Sequence, residues 1–347
     1  MSAIEKKTKH QVDELREGVK NMSVDMRMFS LTMRSLYAEK AVGTDEEVAK
    51  EFRKLRDDTR NDAMVYIEGI LPLTTEFVTS ISTYFEYYDA LTFDEWCENI
   101  SMIRNQATEY KKLCHTMLKM HEEILVPLKK RRDQAGILLK KMTLLVAEFE
   151  KKKAELERKA GKKRFWAQAL CFIPSIGAIA GGILHAAGDK NLAKAVATDN
   201  QAKIQEAAAL AVREALIPAF EAFIDGISKV AGFFSVMEHE LQKFENNAKK
   251  SEDDPQFIFF KVMSVEAKDM KSICQVFYAG LPDVKTDFQA LPTEGTDRNY
   301  VDEWLEKQKK MIEEECRGKL ATKMLRAIAH ALEKKVEDAA NQKPESS

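Results

Sequence analysis

Glycine and proline are scarce in this sequence, with 14 and 8 of the 347 residues. These residues break helices and shape tight turns, so their scarcity argues against a turn-rich sheet fold. Alanine, glutamate, lysine, leucine and methionine are abundant instead, which is the composition of long helices. We find no strand pattern and no short internal repeat. The composition therefore predicts an all-α protein.

An excess of charge of one sign is also lacking. The 54 lysines and arginines are balanced by 56 aspartates and glutamates, and the net charge of -2 argues against nucleic acid as a partner. The five cysteines are scattered and contain no C-x-x-C pair, so they indicate neither a disulfide framework nor a zinc site. We interpret the five cysteines as free thiols, either in a reducing compartment or buried in helix interfaces.

Signals for secretion and catalysis are missing as well. The N-terminal residues MSAIEKKTKHQVDELREG contain no apolar core of a cleaved signal peptide, so any export is expected to use another route. There is no phosphate-binding glycine loop, zinc-protease helix or nucleophile elbow. His121 and Cys114 fall on an apolar helix face, which predicts packing and not metal binding. The sequence thus predicts neither an enzyme nor a bound cofactor or metal.

The apolar residues recur at steps of three and four, the period of amphipathic helices. Thr92 and Glu95 form a capping box that starts a very long helix, predicted over residues 92–163 and continuing through Pro127. A heptad pattern, which favours packing between long helices, covers residues 100–156 and 216–244. These two stretches predict an elongated, antiparallel, coiled-coil-like bundle.

Further helices are predicted on both sides of this pair. They cover residues 1–40, 44–88, 254–280 and 298–338. Pro72 is expected to bend the second of them, while Asp254 and Pro255 are expected to begin the third and Gly280 to end it. An extended loop is predicted over residues 281–299, and residues 339–347 are expected to be a disordered tail.

One apolar segment, residues 164–189, interrupts this charged chain. The run Phe165–Ala187 has the length of one bilayer-spanning helix, about 23 residues. Pro174 and Gly177 lie near its middle, however, and they favour two short arms joined by a turn. If the flanking heptad helices are antiparallel, both ends of the segment lie at the same end of the bundle. The segment is therefore predicted to be a hydrophobic hairpin, in lipid or in the protein core.

Lysines and arginines precede the segment, and such clusters are attracted to anionic lipid headgroups. The predicted headgroup contacts are Lys159, Lys162, Lys163, Arg164 and Lys190. The predicted membrane-inserting residues are Phe165, Trp166, Ala167, Leu170, Phe172, Ile173, Pro174, Ile176, Gly177, Ile179, Gly181, Gly182, Ile183 and Leu184. The alternatives, a solvated charged face and a buried core hairpin, stay open at this point.

This order of elements resembles the cytolysin A and haemolysin BL superfamily of α-helical pore-forming toxins. The resemblance implies a helical stalk in two parts, residues 1–163 and 190–338, and an inserting head over residues 164–189. It also implies a soluble form whose head swings out into a target membrane, and assembly with copies of itself or with a companion toxin subunit. The alanine-rich residues 190–215 would be candidates to line the pore.

A second hypothesis is a non-lytic helical scaffold that uses the apolar segment as a membrane anchor or a docking site for a partner. The two hypotheses differ in location. A toxin would be secreted without a cleaved signal peptide and would act at a target-cell membrane. The five cysteines favour the other location, the cytoplasm.

Overall fold

The computed structural model describes residues 47–160, 212–288, 291, 293 and 295–341, together with the single positions 25, 26, 29, 33 and 209. Its α-helices are α1 Glu47–Val65, α2 Leu71–Asp89, α3 Phe93–Ala160, α4 Ile217–Asp253, α5 Phe257–Phe288, α6 Arg298–Glu315 and α7 Lys319–Asn341. Short π-helical segments, Tyr66–Ile70 and Val212–Leu216, precede α2 and α4. No strand occurs in these residues, and the predicted all-α class is confirmed.

The chain forms two compact units. The first unit consists of residues 1–31, 58–129 and 221–347, and the second of residues 32–57 and 130–220. In the second unit, Lys141 of α3 binds Glu51 of α1 at 2.7 Å. Its described buried side chains include Phe52, Leu55, Ala135, Leu138, Met142, Leu216 and Phe220.

Helices α3 and α4 run antiparallel in the first unit. The Ser101 hydroxyl donates to Glu252 at 2.8 Å, and farther along the pair the Cys114 thiol donates to the Phe234 carbonyl at 3.1 Å. From the first contact to the second, the residue number rises in α3 and falls in α4. The predicted antiparallel pairing is therefore confirmed. We call the interface between α3 and α4 the seam. The predicted apolar stripe of α4 is buried, and its residues are Phe223, Ile227, Val230, Phe234, Met237, Leu241 and Phe244.

Helix α2 packs against both helices of this pair through aromatic rings. The Tyr84 hydroxyl donates to the Ile103 carbonyl of α3 at 3.1 Å. Phe77 meets Phe234 of α4 edge to face, with 5.3 Å between the ring centroids. Such contacts bury large apolar areas and fix the relative orientation of the rings. The core of the first unit is therefore built between α2, α3 and α4.

The sequence predicts helix starts at Thr92 and at Asp254, and the structure differs from the second of them. The capping box is confirmed, since the Thr92 N–H donates to Glu95 at 2.8 Å and the Glu95 N–H donates to the Thr92 hydroxyl at 3.3 Å. The predicted start of α5 is wrong by about two residues. The Gln256 carbonyl accepts the N–H groups of Phe259 and Phe260, and Pro255 lies outside the helix. The side chains of Phe257 and Phe260 pack on Phe93, which explains the later start.

The predicted end of α5 is also wrong. The helix continues through Gly280 to Phe288, so the first residues of the predicted loop are helical. A glycine costs a helix only about 1 kcal/mol, which does not by itself end a helix. The predicted loop is consequently shorter than residues 281–299.

The single helix predicted over residues 298–338 is two helices in the structure. Helix α6 ends where Cys316 adopts an extended backbone, and Gly318 has a φ of +110°. That φ strains any residue with a Cβ, so glycine permits the break. Cys316, Met324 and Ile328 are nevertheless buried as predicted. The apolar period continues in phase across the break, which is why the pattern alone conceals it.

Helix α6 rests on the π-helical segment Tyr66–Ile70. Its buried residues are Val301, Leu305, Gln308 and Ile312. A Cβ on Gly69 would lie 2.9 Å from Leu305 Cδ2, so the glycine permits this close approach. Pro72 follows the segment and has no N–H that could donate to the carbonyl four residues earlier. The regular α-helical hydrogen bonding is therefore interrupted where the π-helical segment lies.

Candidate membrane-insertion segment and its supporting helices

The predicted insertion site lies almost wholly outside the described residues. This holds for every predicted inserting residue from Phe165 to Leu184, and for Lys162, Lys163, Arg164 and Lys190. Lys159 lies in the last turn of α3. The predicted boundaries at residues 164 and 190 therefore stay predictions. The structure does describe the helices on either side of the segment.

A ladder of three glutamates runs along α4 at heptad spacing, formed by Glu238, Glu245 and Glu252. Each faces a basic residue of α3. The pairs are Glu252 with Arg104, Glu245 with Lys111, and Glu238 with His115, the last at 3.2 Å. Because seven residues make two turns, all three pairs lie along one edge of the seam. We refer to them as the glutamate ladder.

Hydroxyl and amide groups complete this ladder. The Thr108 hydroxyl donates to Glu245 at 2.8 Å, and Lys111 also donates to Gln242 at 2.8 Å. Burial opposes ionisation of Glu245, but the hydrogen bonds from Lys111 and Thr108 and the charges of Lys111 and Arg104 together outweigh it, so the pKa of Glu245 is lowered. Side-chain exposures of 20–33% for the two full ion pairs imply about 0.2–1 kcal/mol for each. The ladder thus specifies register more than it stabilises the fold.

His121 is one of the buried polar residues between α3 and α4. It is fully buried, with its ring 5.2 Å from Phe234 and 5.9 Å from Tyr66. Its Nδ1 lies 2.7 Å from the Met117 carbonyl, and its Nε2 lies 3.4 Å from the Thr74 hydroxyl. Burial lowers the pKa of His121 to about 4, so the ring is neutral at pH 7. The prediction that His121 packs in an interface is confirmed.

The cysteines of the described residues are free thiols. Cys114, Cys274 and Cys316 are buried, and Cys97 is half-buried. Burial is the largest cause that raises the pKa of the Cys114 thiol, as it is for the Cys274 thiol. A raised thiol pKa makes these groups unreactive near neutral pH. Cys171 lies outside the described residues.

Neither a bilayer-spanning helix nor a metal cluster is found in the described part of the chain. None of its helices combines the length and the apolar character needed to cross a membrane. Across the same residues, no three His, Cys, Asp or Glu side chains are grouped so that they could hold a metal ion.

Comparison with known proteins yields structural neighbours and no sequence relatives. No family model and no curated protein matches the chain. The chain is similar to the pre-pore of AhlB from Aeromonas hydrophila, with 13% identity, a TM-score of 0.45, and coverage of 83% of this chain and 99% of that one. It is similar to the SmhB pore from Serratia marcescens, with 13% identity, a TM-score of 0.44, and coverage of 76% and 98%.

A third structure, soluble SmhB from Serratia marcescens, has 14% identity and a TM-score of 0.43, with coverage of 79% of this chain and 92% of that one. All three are components of tripartite alpha-pore forming toxins. That is the class of protein the sequence resembles.

Sequence reasoning missed two features of the first unit. One is a pair of acidic residues between α4 and α5, Glu240 and Glu266. Glu266 directly precedes the buried Ala267, and that position next to an apolar stripe was the available signal. The other is a row of exposed apolar residues on α5, Ile258, Val262 and Val265, at steps of four and three. A spacing of four and three residues is also the pattern of a buried stripe, so the sequence pattern alone could not show that this face of α5 is exposed.

Proposed function

We propose that this chain is an α-pore-forming toxin or a component of one. Residues 164–189 insert into a target membrane as a hairpin, and the chain assembles there with further copies or with a companion subunit. The protein is secreted and acts at the membrane of the target cell. The observation that carries the proposal is the antiparallel pairing of α3 and α4, seen in the glutamate ladder.

The pairing favours a hairpin over a single span. The part of α3 that belongs to the first unit ends at Lys129, and the part of α4 that belongs to it begins at Glu221. Because the helices are antiparallel, these two residues lie at the same end of the pair. If residues 164–189 formed a single transmembrane helix, the two ends of this segment would lie on opposite sides of a bilayer. A hairpin returns to the side from which it started, and the sequence favours a turn at Pro174 and Gly177, near the middle of the segment.

The contacts of the seam do not require the apolar segment. The ladder pairs and the rings around His121 have their partners within the first unit. Movement of residues 164–189 would therefore leave these contacts in place. The segment itself gains from lipid, at about 25 cal/mol for each Å² of apolar surface removed from water, or several kcal/mol for one arm. Each basic residue near an anionic surface adds about 1 kcal/mol.

Liposomes test the proposal directly. The purified chain is mixed with dye-loaded vesicles that contain anionic lipid, and three quantities are measured: flotation with the vesicles, dye release, and cross-linked oligomers on the membrane. We expect the wild type to float and to form oligomers. We expect Ile183→Asp to reduce both at least about tenfold, because a charge in the inserted arm is costly in lipid.

The matched control is Ile137→Asp, the same substitution at a side chain that is 57% exposed on α3. It should float and assemble like the wild type. A wild type that neither floats nor releases dye would refute the proposal. So would an Ile183→Asp variant that loses its helical circular dichroism while Ile137→Asp keeps it, because the segment would then belong to the protein core.

The second candidate is the non-lytic scaffold, in which the same segment is a membrane anchor. The free thiols of the described cysteines favour it, because unpaired cysteines are typical of a reducing compartment. In that case the wild type floats but remains monomeric on the vesicles and releases no dye. The cross-linking measurement therefore separates the two candidates.

A further inference from the structure

A group of polar contacts, which we call the clasp, holds the start of α6 against α1 and the π-helical segment in the first unit. Its pairs are Tyr300 with Asp62, Asp297 with Asn61, Arg298 with Glu68, and Gly295 with Arg60. The Tyr300 hydroxyl donates to Asp62 at 2.6 Å, and Asp62 is fully buried. Hydrogen bonds to carboxylates are among the strong ones, and water does not compete for a buried one. The clasp therefore fixes this end of α6 firmly.

Three ion pairs, which we call the outer pairs, hold the rest of α6 and the start of α7. They are Lys307 with Glu123 at 2.8 Å, Glu315 with Lys119 at 2.7 Å, and Lys323 with Glu76. The Lys307 side chain is 53% exposed and that of Lys323 is 63% exposed, so water and salt reach these charges. Exposed ion pairs are individually weak and are screened by salt. The outer pairs are therefore weaker fastenings than the clasp.

The apolar contacts of α6 and α7 differ in kind from those of the core. In the described part of these two helices no aromatic side chain is buried, and the buried apolar residues are Val301, Leu305, Ile312, Cys316, Ala321, Met324 and Ile328. In the core, by contrast, buried rings such as Phe77 and Phe234 join α2 to α4. Aromatic side chains bury the largest apolar areas. Separation of α6 and α7 from the core thus exposes no buried ring of their own.

A buried amide also favours this separation. Gln308 of α6 is 1% exposed, and neither polar atom of its side chain has a hydrogen-bond partner in the described part of the chain. Its Oε1 lies against Gly69 of the π-helical segment, only 2.5 Å from the position that a Cβ of Gly69 would take. A buried amide without a partner costs free energy, and water would satisfy it. Opening this interface therefore regains hydrogen bonds for Gln308.

We propose that α6 and α7 form a hinged lid, which opens as one unit while the clasp stays closed. The clasp is the hinge because its contacts include a buried carboxylate. The outer pairs are the fastening, and a rise in salt concentration weakens all three together. Opening brings Gln308 and Cys316 into contact with water. The lid belongs to the first unit alone, so its opening requires neither a membrane nor the proposed toxin activity.

Cys316 reports opening in the unmodified protein. It lies at the junction of α6 and α7, is 4% exposed, and has its Sγ 3.3 Å from the Thr116 hydroxyl of α3. The wild type is treated with a maleimide at one pH in 0.1 M and in 1 M NaCl, and peptide mass spectrometry follows the labelling of each cysteine. Labelling of Cys316 should be about tenfold faster in 1 M NaCl, where the Debye length is about 3 Å instead of about 10 Å. Cys114 and Cys274, buried elsewhere in the first unit, should react more slowly and should not respond to salt.

A double variant tests the fastening. Lys307→Gln combined with Lys323→Gln removes two outer pairs, so its Cys316 should be labelled in 0.1 M NaCl almost as fast as that of the wild type in 1 M NaCl. The matched control is Lys141→Gln, which removes an ion pair of similar exposure in the second unit. It should follow the wild type. Wild-type labelling of Cys316 that is no faster than that of Cys114, or that is the same at both salt concentrations, would overturn the proposal.

Hydrogen exchange of the wild type tests the hinge. Helices of this length are marginal in water once they are detached, so their amides exchange when the lid opens. In 1 M NaCl the amides of residues 310–328 should lose protection together, about tenfold relative to 0.1 M NaCl. The amides of residues 300–303, beside the clasp, should keep theirs. Equal loss at both ends of α6 would refute the hinge, because the clasp would then open with the outer pairs.

Discussion

Replacing His121 should remove an acid sensitivity that is built into the helix seam. The ring is fully buried between Tyr66, Phe234 and Thr74. Burial lowers its pKa and the hydrogen bond with the Met117 carbonyl raises it, and no carboxylate is among the causes. The charged imidazolium is therefore poorly accommodated in the fold. In the unfolded chain the same ring protonates with its usual pKa near 6.5. Acid consequently favours the unfolded chain at this residue.

The size of the effect follows from the two pKa values. Burial lowers the pKa of His121 to about 4 in the folded protein. Between pH 6.5 and pH 4 the unfolded chain binds more protons than the folded one, so the free energy of unfolding falls as the pH falls. The loss at this one residue is about 2 kcal/mol from pH 7 to 5 and about 3 kcal/mol by pH 4.

Urea denaturation of the wild type and of His121→Leu at pH 7, 6, 5 and 4 measures this loss. The variant should be close to the wild type at pH 7 and should gain on it by about 2 kcal/mol at pH 5. Effects of other titrating groups, Glu266 included, occur in both proteins and cancel in the difference. The comparison variant is His115→Gln, at a half-exposed ring, which should not gain in this way. A difference between wild type and His121→Leu that is constant from pH 7 to 4 would refute the reasoning.

Two further substitutions test the packing of the first unit. Lys111→Glu and Glu245→Lys should each lower the free energy of unfolding by about 1 kcal/mol, whereas the double variant should recover about 0.5–1 kcal/mol, because the swapped charges attract again. Strict additivity in urea denaturation would contradict the observed register. Gly318→Ala should cost about 1–3 kcal/mol, since φ is +110° there, while Gly232→Ala in α4, with open space around its Cβ position, should gain up to about 1 kcal/mol. The same sign of change for both alanines would disprove the role of the backbone at Gly318.

The antiparallel seam could be predicted from the sequence because a heptad pattern acts over many turns. A single wrong residue does not change which face of a long helix is apolar, so the stripe that includes Phe234 and Phe244 was recoverable. The capping box at Thr92 was recoverable for a different reason. It depends on side chains only three residues apart, and their geometry is fixed by the helix itself.

The errors arise where the apolar pattern carries no signal, either at a local backbone break or where distant contacts decide the outcome. The break at Gly318 leaves the apolar period unchanged, so only the backbone reveals it. The later start of α5 depends on the packing of Phe257 and Phe260 on Phe93, about 160 residues earlier in the chain. Such pairings carry no local signal, because neither partner determines where the other lies.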